Sequence, residues 1–296
     1  MALASMSEIF ERMARNGQEF WEVVLADDMD ERQVSREASM AKMLTTWQAM
    51  QDAADSYTGR KRSVSGLVGG DGMRMRQYTF RGCAMTGGYV SEVIAEALSM
   101  AESNACMRRI VAAPTAGACG VLPAVLLPLC KYEELTQHQL LEALYVAAGI
   151  GSVIAYKASI AGASGGCQAE IGTASAMAAG ALVALRGGEG EQIGHAVAMA
   201  LKNLMGLVCD PVAGLVEVPC VKRNVIGAMN AVSAADMALA GVVGHIPADE
   251  VIDAMAEVGS AMSKDLRETG IGGLAGTPTG RAICEIVTMN NEEEED

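Results

Sequence analysis

Apolar residues recur along this chain at intervals of three and four, and no stretch alternates cleanly with a period of two. The pattern therefore predicts helices rather than strands. Met40, Met43, Leu44, Trp47 and Met50 follow a run of alternating charges and mark one amphipathic helix, and Val90, Val93, Ile94, Ala97, Leu98 and Ala101 mark another. Thr136 with Gln139 makes a capping-box pattern, from which Leu140, Leu141, Leu144, Tyr145 and Ala148 carry a helix onward. The stretch from Gln168 to Arg186 is apolar nearly all round, hence buried, and stops at Gly187-Gly188, where a left-handed C-cap is cheap. Ile193, Val197 and Leu201 mark the next helix. Asn224 to Ala240 reads as helical and almost uncharged, and Pro247 opens a helix with Val251, Met255, Val258 and Met262 on one face. From Tyr57 to Gly82, glycines and basic residues predict a loop or a short extended stretch.

The fold class expected is mainly α, a single helical domain over residues 1–296 with buried Ala/Gly-rich central helices and Gly/Pro-rich active-site loops. Residues 1–56 are expected as peripheral helices and 290–296 as a solvated acidic tail. Composition sharpens this: 51% of residues are apolar but only 4% aromatic, with 33 Gly, so helices must pack through close approach of small residues. The formal charge of −14 and the lack of a basic stripe with interleaved aromatics argue against nucleic acid or an anionic membrane surface as partner. A small-molecule substrate is the expectation. The opening "MALASMSEIFERM" lacks the basic and apolar regions of a secretory signal, which points to the cytoplasm. The uncharged run Ile110 to Cys130 is long enough to span a bilayer, yet Pro114, Pro123 and Pro128 interrupt it, so buried loop and core helix is the better reading.

Chemistry enters with eight cysteines and no C-x-x-C pair, which gives no support to a zinc ribbon or a thioredoxin-like centre. Cys167 stands in "SGGCQAEIG", and Cys209 and Cys220 bound "CDPVAGLVEVPC". Prolines beside the last two predict helix ends with free N–H groups that can face an anion. Thiolates in Gly- and Pro-flanked loops suit an iron-sulfur cluster, and Lys222 and Arg223 would favour the Cys220 thiolate. The separations of 41 and 10 residues match no ferredoxin spacing, so buried packing of all three thiols stays open on these grounds. For Cys83, Cys106, Cys119, Cys130 and Cys284, core packing is expected.

Four stretches, "APTAG" at 113–117, "SGGCQAE", "LKNLMGLVCDPVAGLVEVPCVKRN" and "ETGIGGLAGTPTG", closely resemble the alpha chain of the bacterial iron-sulfur L-serine dehydratase, in its two-chain form. The resemblance runs from about Gly66 to Gly280. It implies a 4Fe-4S cluster held by Cys167, Cys209 and Cys220, with a fourth iron open to the hydroxyl of L-serine, and conversion of L-serine to pyruvate and ammonia. Thr115, Ser164 and Lys222 are the candidates for holding the substrate carboxylate. The general base is unassigned: His138, His195 and His245 lie far in sequence from the three cysteines, and the "SSSH" motif that the family carries in its beta portion is absent here. A beta subunit is thus the expected partner and source of the base. Single-chain members end in a cysteine that can reach the cluster, whereas twelve residues follow Cys284 here. Rival readings are an L-cysteine desulfidase with the same cluster, a four-cysteine electron-transfer protein, a pyridoxal-phosphate dehydratase, which the lack of strand pattern disfavours, and a helical subunit with inert thiols.

Overall fold

Three amphipathic helices come first in the computed structural model, which describes residues 3–295, with side chains as far as 289: α1 (Met6–Asn16), α2 (Phe20–Arg32) and α3 (Arg36–Asp55). They lie outermost in sequence but send Met6, Ile9, Phe20, Leu25, Trp47 and Met50 into the main core. The side chains of the acidic tail, 290–296, lie outside the described residues. Then follow α4 (Asp71–Phe80), α5 (Gly88–Ala105), α6 (Val121–Tyr132), α7 (Gln137–Lys157), the single turn α8 (Gly162–Gly165), α9 (Thr173–Leu185), α10 (Gly190–Leu204), α11 (Cys220–Leu239), α12 (Ala248–Ala261) and α13 (Pro278–Glu295). The described residues form no strand beyond one isolated bridge between Cys209 and Arg267. The mainly α class read from the sequence is the class observed.

The core is built around α9, which is buried from Thr173 to Val183 and is flanked by α6, α7, α10 and α11. Its residues are mostly Ala, Gly and Ser, so neighbouring helices come close enough for their larger side chains to fill the space above it. At Gly180 a β-carbon would stand 2.2 Å from Ile150 Cδ1 of α7. Among the described residues one helix, α7, is long and apolar enough to cross a membrane, and two-thirds of its apolar window (67%) is buried inside the protein. Its start is the predicted capping box, in which Thr136 and Gln139 exchange side-chain bonds with each other's backbone. At the far end of α9, Gly187 takes the left-handed conformation (φ 72°).

Two boundaries differ from the sequence expectation. The 57–82 stretch contains α4, because Gly70 turns the chain in the left-handed region and the buried Glu102 of α5 accepts bonds from Asp71 N–H (2.7 Å) and Gly72 N–H (3.4 Å). That carboxylate neutralises the helix N-terminus from outside its own sequence window. Likewise α11 begins at Cys220 rather than Asn224, since Pro219 opens it and Asn224 sits one turn inside. The packing role expected of the remaining cysteines fails for two: Cys83, just past α4, and Cys284, on α13, are exposed.

Replacing Gly180 by Val tests the close approach of α7 and α9. The gain in helix propensity, under about 1 kcal/mol, should lose to overpacking of about 1–3 kcal/mol. The expected result is a lower urea midpoint with an unchanged helical circular-dichroism spectrum.

Candidate active site

Cys167, Cys209 and Cys220 come from three separate segments, and the fold brings them together. Cys167 lies between α8 and a single π-helical turn, Gln168–Gly172, of the kind that often marks functional positions. Gln168 holds this turn in place: its side chain donates to Met255 O (2.9 Å) and accepts from Gly206 N–H (2.8 Å), while its backbone N–H donates to Leu207 O (2.9 Å). The Gln of "SGGCQAEIG" is thus a brace between α12 and the loop leading to Cys209. Cys209 itself sits beyond α10, with its N–H donating to Leu266 O (2.8 Å) and its carbonyl accepting from Glu268 N–H (2.7 Å). The expectation that Cys209 lies at a helix end is corrected: α10 stops at Leu204, and the N–H of Cys209 itself is taken by the 264–268 loop. Cys220 opens the twenty-residue helix α11, so its sulfur stands at a helix N-terminus.

Two polar side chains lock these segments. Arg223 donates to Asp210 Oδ1 (2.7 Å) and Val208 O (2.7 Å), and Asp210 Oδ2 accepts from Leu274 N–H (2.8 Å). The "CDP", "CVKRN" and "GIGGLAG" motifs are joined through that one carboxylate. Fully buried Asn224 accepts from Gly120 N–H (2.8 Å) and donates to Gly117 O (2.8 Å) and Cys220 O (3.0 Å), which fixes the "APTAG" loop against the first turn of α11.

Electrostatics follow from this burial. Desolvation pushes the Cys167 thiol up to about 11, with Arg223 pulling against it, and pushes Cys220 up to about 12, with Cys167 adding to the rise. Cys209 is raised as well, by burial and then by Cys167. Burial opposes the Arg223 charge, but Cys167 and Asp210 outweigh it and leave its pKa raised. Glu170, in the π-helical turn, is raised by burial and by Glu268, with Thr115 acting in the other direction. A β-carbon on Gly162 would lie 2.8 Å from Cys209 Sγ, 2.9 Å from Glu170 Oε2 and 3.3 Å from Glu268 Oε2, so only Gly fits beside this cluster. Sulfur and both carboxylates thus converge on one small region.

Of the carboxylate-binding candidates, Thr115 lies beside Glu170, and its buried hydroxyl oxygen has no partner other than that carboxylate. Ser164 bonds instead to Ser159 and is exposed, on a separate small cavity with Met255 and Ser260. Lys222 turns outward to Asp71 (2.7 Å), so only Arg223 acts on the thiols as expected. Sequence reasoning left Glu170, Asp210, Asn224 and Glu268 without roles. The one available signal was their position inside the quoted motifs.

A cavity of about 790 Å³ lies elsewhere, between α1, α10 and the 243–249 turn. It includes His195 and His245, but Asp249 on its wall is already committed to capping α1 through Met6 N–H (3.0 Å) and Ser7 N–H (2.9 Å). Among the described residues, no three His, Cys, Asp or Glu side chains close on a point tightly enough for a single metal ion. A cluster of several irons holds its thiolates farther apart than one ion does. Two buried thiols and a half-buried one, in which Cys167 raises the pKa of the other two beside a single guanidinium, form a donor set that positive metal charge would relieve.

Comparison with known proteins bears on this geometry. Residues 15–275 match the family model described as serine dehydratase alpha chain, starting well before Gly66. The chain is 47% identical over 262 residues to a Bacillus subtilis (strain 168) protein named "Probable L-serine dehydratase, alpha chain", covering 88% of this chain and 87% of that one. It is 40% identical to the "L-serine dehydratase, alpha chain" of Peptoniphilus asaccharolyticus, over 95% of this chain and 97% of that one. With "L-serine dehydratase 2" of Escherichia coli (strain K12) it shares 46% identity over 181 residues, which are 60% of this chain but only 40% of that longer one.

Proposed function

The chain belongs to the serine dehydratase alpha chain family of lyases, and on that footing we propose that it is the cluster-bearing subunit of an iron-sulfur L-serine ammonia-lyase. The observation that carries this reading is the convergence of Cys167, Cys209 and Cys220 from three motifs, the first two buried and the third half-buried. In it, these three cysteines hold a 4Fe-4S cluster, and residues 1–296 act as one catalytic unit. When bound, the cluster supplies a Lewis-acidic iron that makes hydroxide a tolerable leaving group.

The chain's own residues do the rest of the holding. Arg223 offsets the negative charge gathered by the thiolates, and the Asp210 carboxylate keeps it aimed. The Thr115 hydroxyl, whose buried oxygen has no partner besides its neighbour Glu170, is the donor for the substrate carboxylate. Loss of the α-proton and of hydroxide leaves aminoacrylate, which tautomerises and hydrolyses to pyruvate and ammonia.

The base for that proton, in this reading, comes from a beta subunit. All three histidines lie on other elements, in α7, in α10 and in the turn before α12. The longer Escherichia coli relative carries 60% of its length outside the match, room for the part this chain lacks. All eight cysteines are free, as a cytoplasmic protein's would be.

The test is iron and sulfide content of protein purified without oxygen. Cys167→Ser, Cys209→Ser and Cys220→Ser should each lose most of the iron and the visible absorption, while Cys119→Ser and Cys130→Ser keep both; equal loading in all five would refute the assignment. Turnover of L-serine should be undetectable with this chain alone and appear when a beta polypeptide is added. Measurable activity of the lone chain would remove the need for a partner.

A further inference from the structure

The two cations that follow Cys220 are already engaged. Arg223 is held by Asp210 and Val208 O, and Lys222 by Asp71. Two anions are not. Among the described residues, neither Glu170 nor Glu268 forms an ion pair, although both carboxylates reach within 3.3 Å of the same point beside Gly162, where Cys209 Sγ also arrives. Glu170 is half-buried and Glu268 exposed, so the pair runs from the floor of the site to its mouth. Glu268 is held there by a left-handed backbone (φ 63°) that only its hydrogen bond to Cys209 O (2.7 Å) and the neighbouring loop sustain. A non-glycine residue is uncommon in that conformation and needs its neighbours to hold it there.

Two facing carboxylates without a cation repel one another, and the partial burial of Glu170 adds to the cost. A cluster held by three thiolates is itself anionic, and so does not discharge them. The substrate of a serine dehydratase carries a positive group of its own, the α-ammonium, attached to the same carbon as its carboxylate. Beside Glu170 lies the Thr115 hydroxyl, a neutral donor whose oxygen is buried and forms no other hydrogen bond.

We propose that Glu170 and Glu268 form the ammonium-binding pair of the active site, with the Thr115 hydroxyl taking the adjacent carboxylate, so that selection for amino acids over hydroxy acids resides in this chain. This rests on the lyase reading above. It makes Glu170 and Glu268 specificity-determining residues, in contact with substrate but not with the departing hydroxide.

The holoenzyme, this chain with its beta polypeptide purified without oxygen, is to be compared with Glu170→Gln and Glu268→Gln. The readouts are KM and kcat for L-serine, iron content, and calorimetric affinity for D-serine and D-glycerate, which differ only in bearing an ammonium or a hydroxyl at Cα. Each variant should keep its iron, raise KM and weaken D-serine by about 10- to 100-fold, the worth of a charge-assisted hydrogen bond. D-Glycerate affinity should hold or improve. Equal weakening of both ligands, no change in either, or loss of iron in both variants would overturn the proposal. Wild-type protein without iron would defeat the cluster reading instead, and the contrast between the two ligands would still judge the carboxylate pair.

Discussion

The site depends on one buried ion pair. Asp210 and Arg223, both largely shielded from water, meet at 2.7 Å, and each holds a second part of the chain: Asp210 takes the Leu274 amide, and Arg223 takes the Val208 carbonyl. Through these contacts the segment carrying Cys209, the helix opened by Cys220 and the glycine-rich 269–276 turn share a single anchor. Removing one partner of such a pair strands a buried charge at a cost of about 3–5 kcal/mol. The same guanidinium also lowers the Cys167 pKa against the effect of burial, so the element that fixes geometry also sets the local charge. Position and electrostatics cannot be altered separately here.

That anchor works only because the helices beneath it lie close together. The small residues of α9 let α7, α10 and α11 approach, and Asn224, one turn into α11, ties the loop of Thr115 to the Cys220 carbonyl. The loops over this base, 205–219 and 262–277, are long but cross-tied through Asp210, Gln168 and the Cys209 backbone, which leaves them few degrees of freedom. A rigid floor of this kind suits a group whose ligands must be presented together rather than gathered from mobile loops.

The helices themselves are legible in the sequence wherever their signals are local. The capping box at Thr136, the glycine stop after Arg186 and the apolar stripe after Pro247 all appear in the structure as read. What escapes is set at a distance. The α4 helix owes its start to Glu102, thirty-one residues after Asp71, and the Cys209 amide is taken by Leu266, so neither can be seen in a window around the residue itself. In the candidate site, the three cysteines stand out by their flanking Gly and Pro, but their spacing fits no known pattern and the resemblance to a family supplies the grouping. Glu170 and Glu268 give no sequence signal of their own, because an acidic residue on a loop usually means only a solvated surface. Their meaning comes from facing each other across Gly162.

The central claim is that three cysteines of this chain leave one iron of a cluster open to substrate. The most direct test is a Mössbauer spectrum of iron-57-labelled holoenzyme, prepared without oxygen and recorded with and without L-serine. The account predicts that one iron of four changes its parameters when serine is added while the other three do not. A spectrum in which all irons ignore serine, or in which none assembles into a cluster, would contradict it.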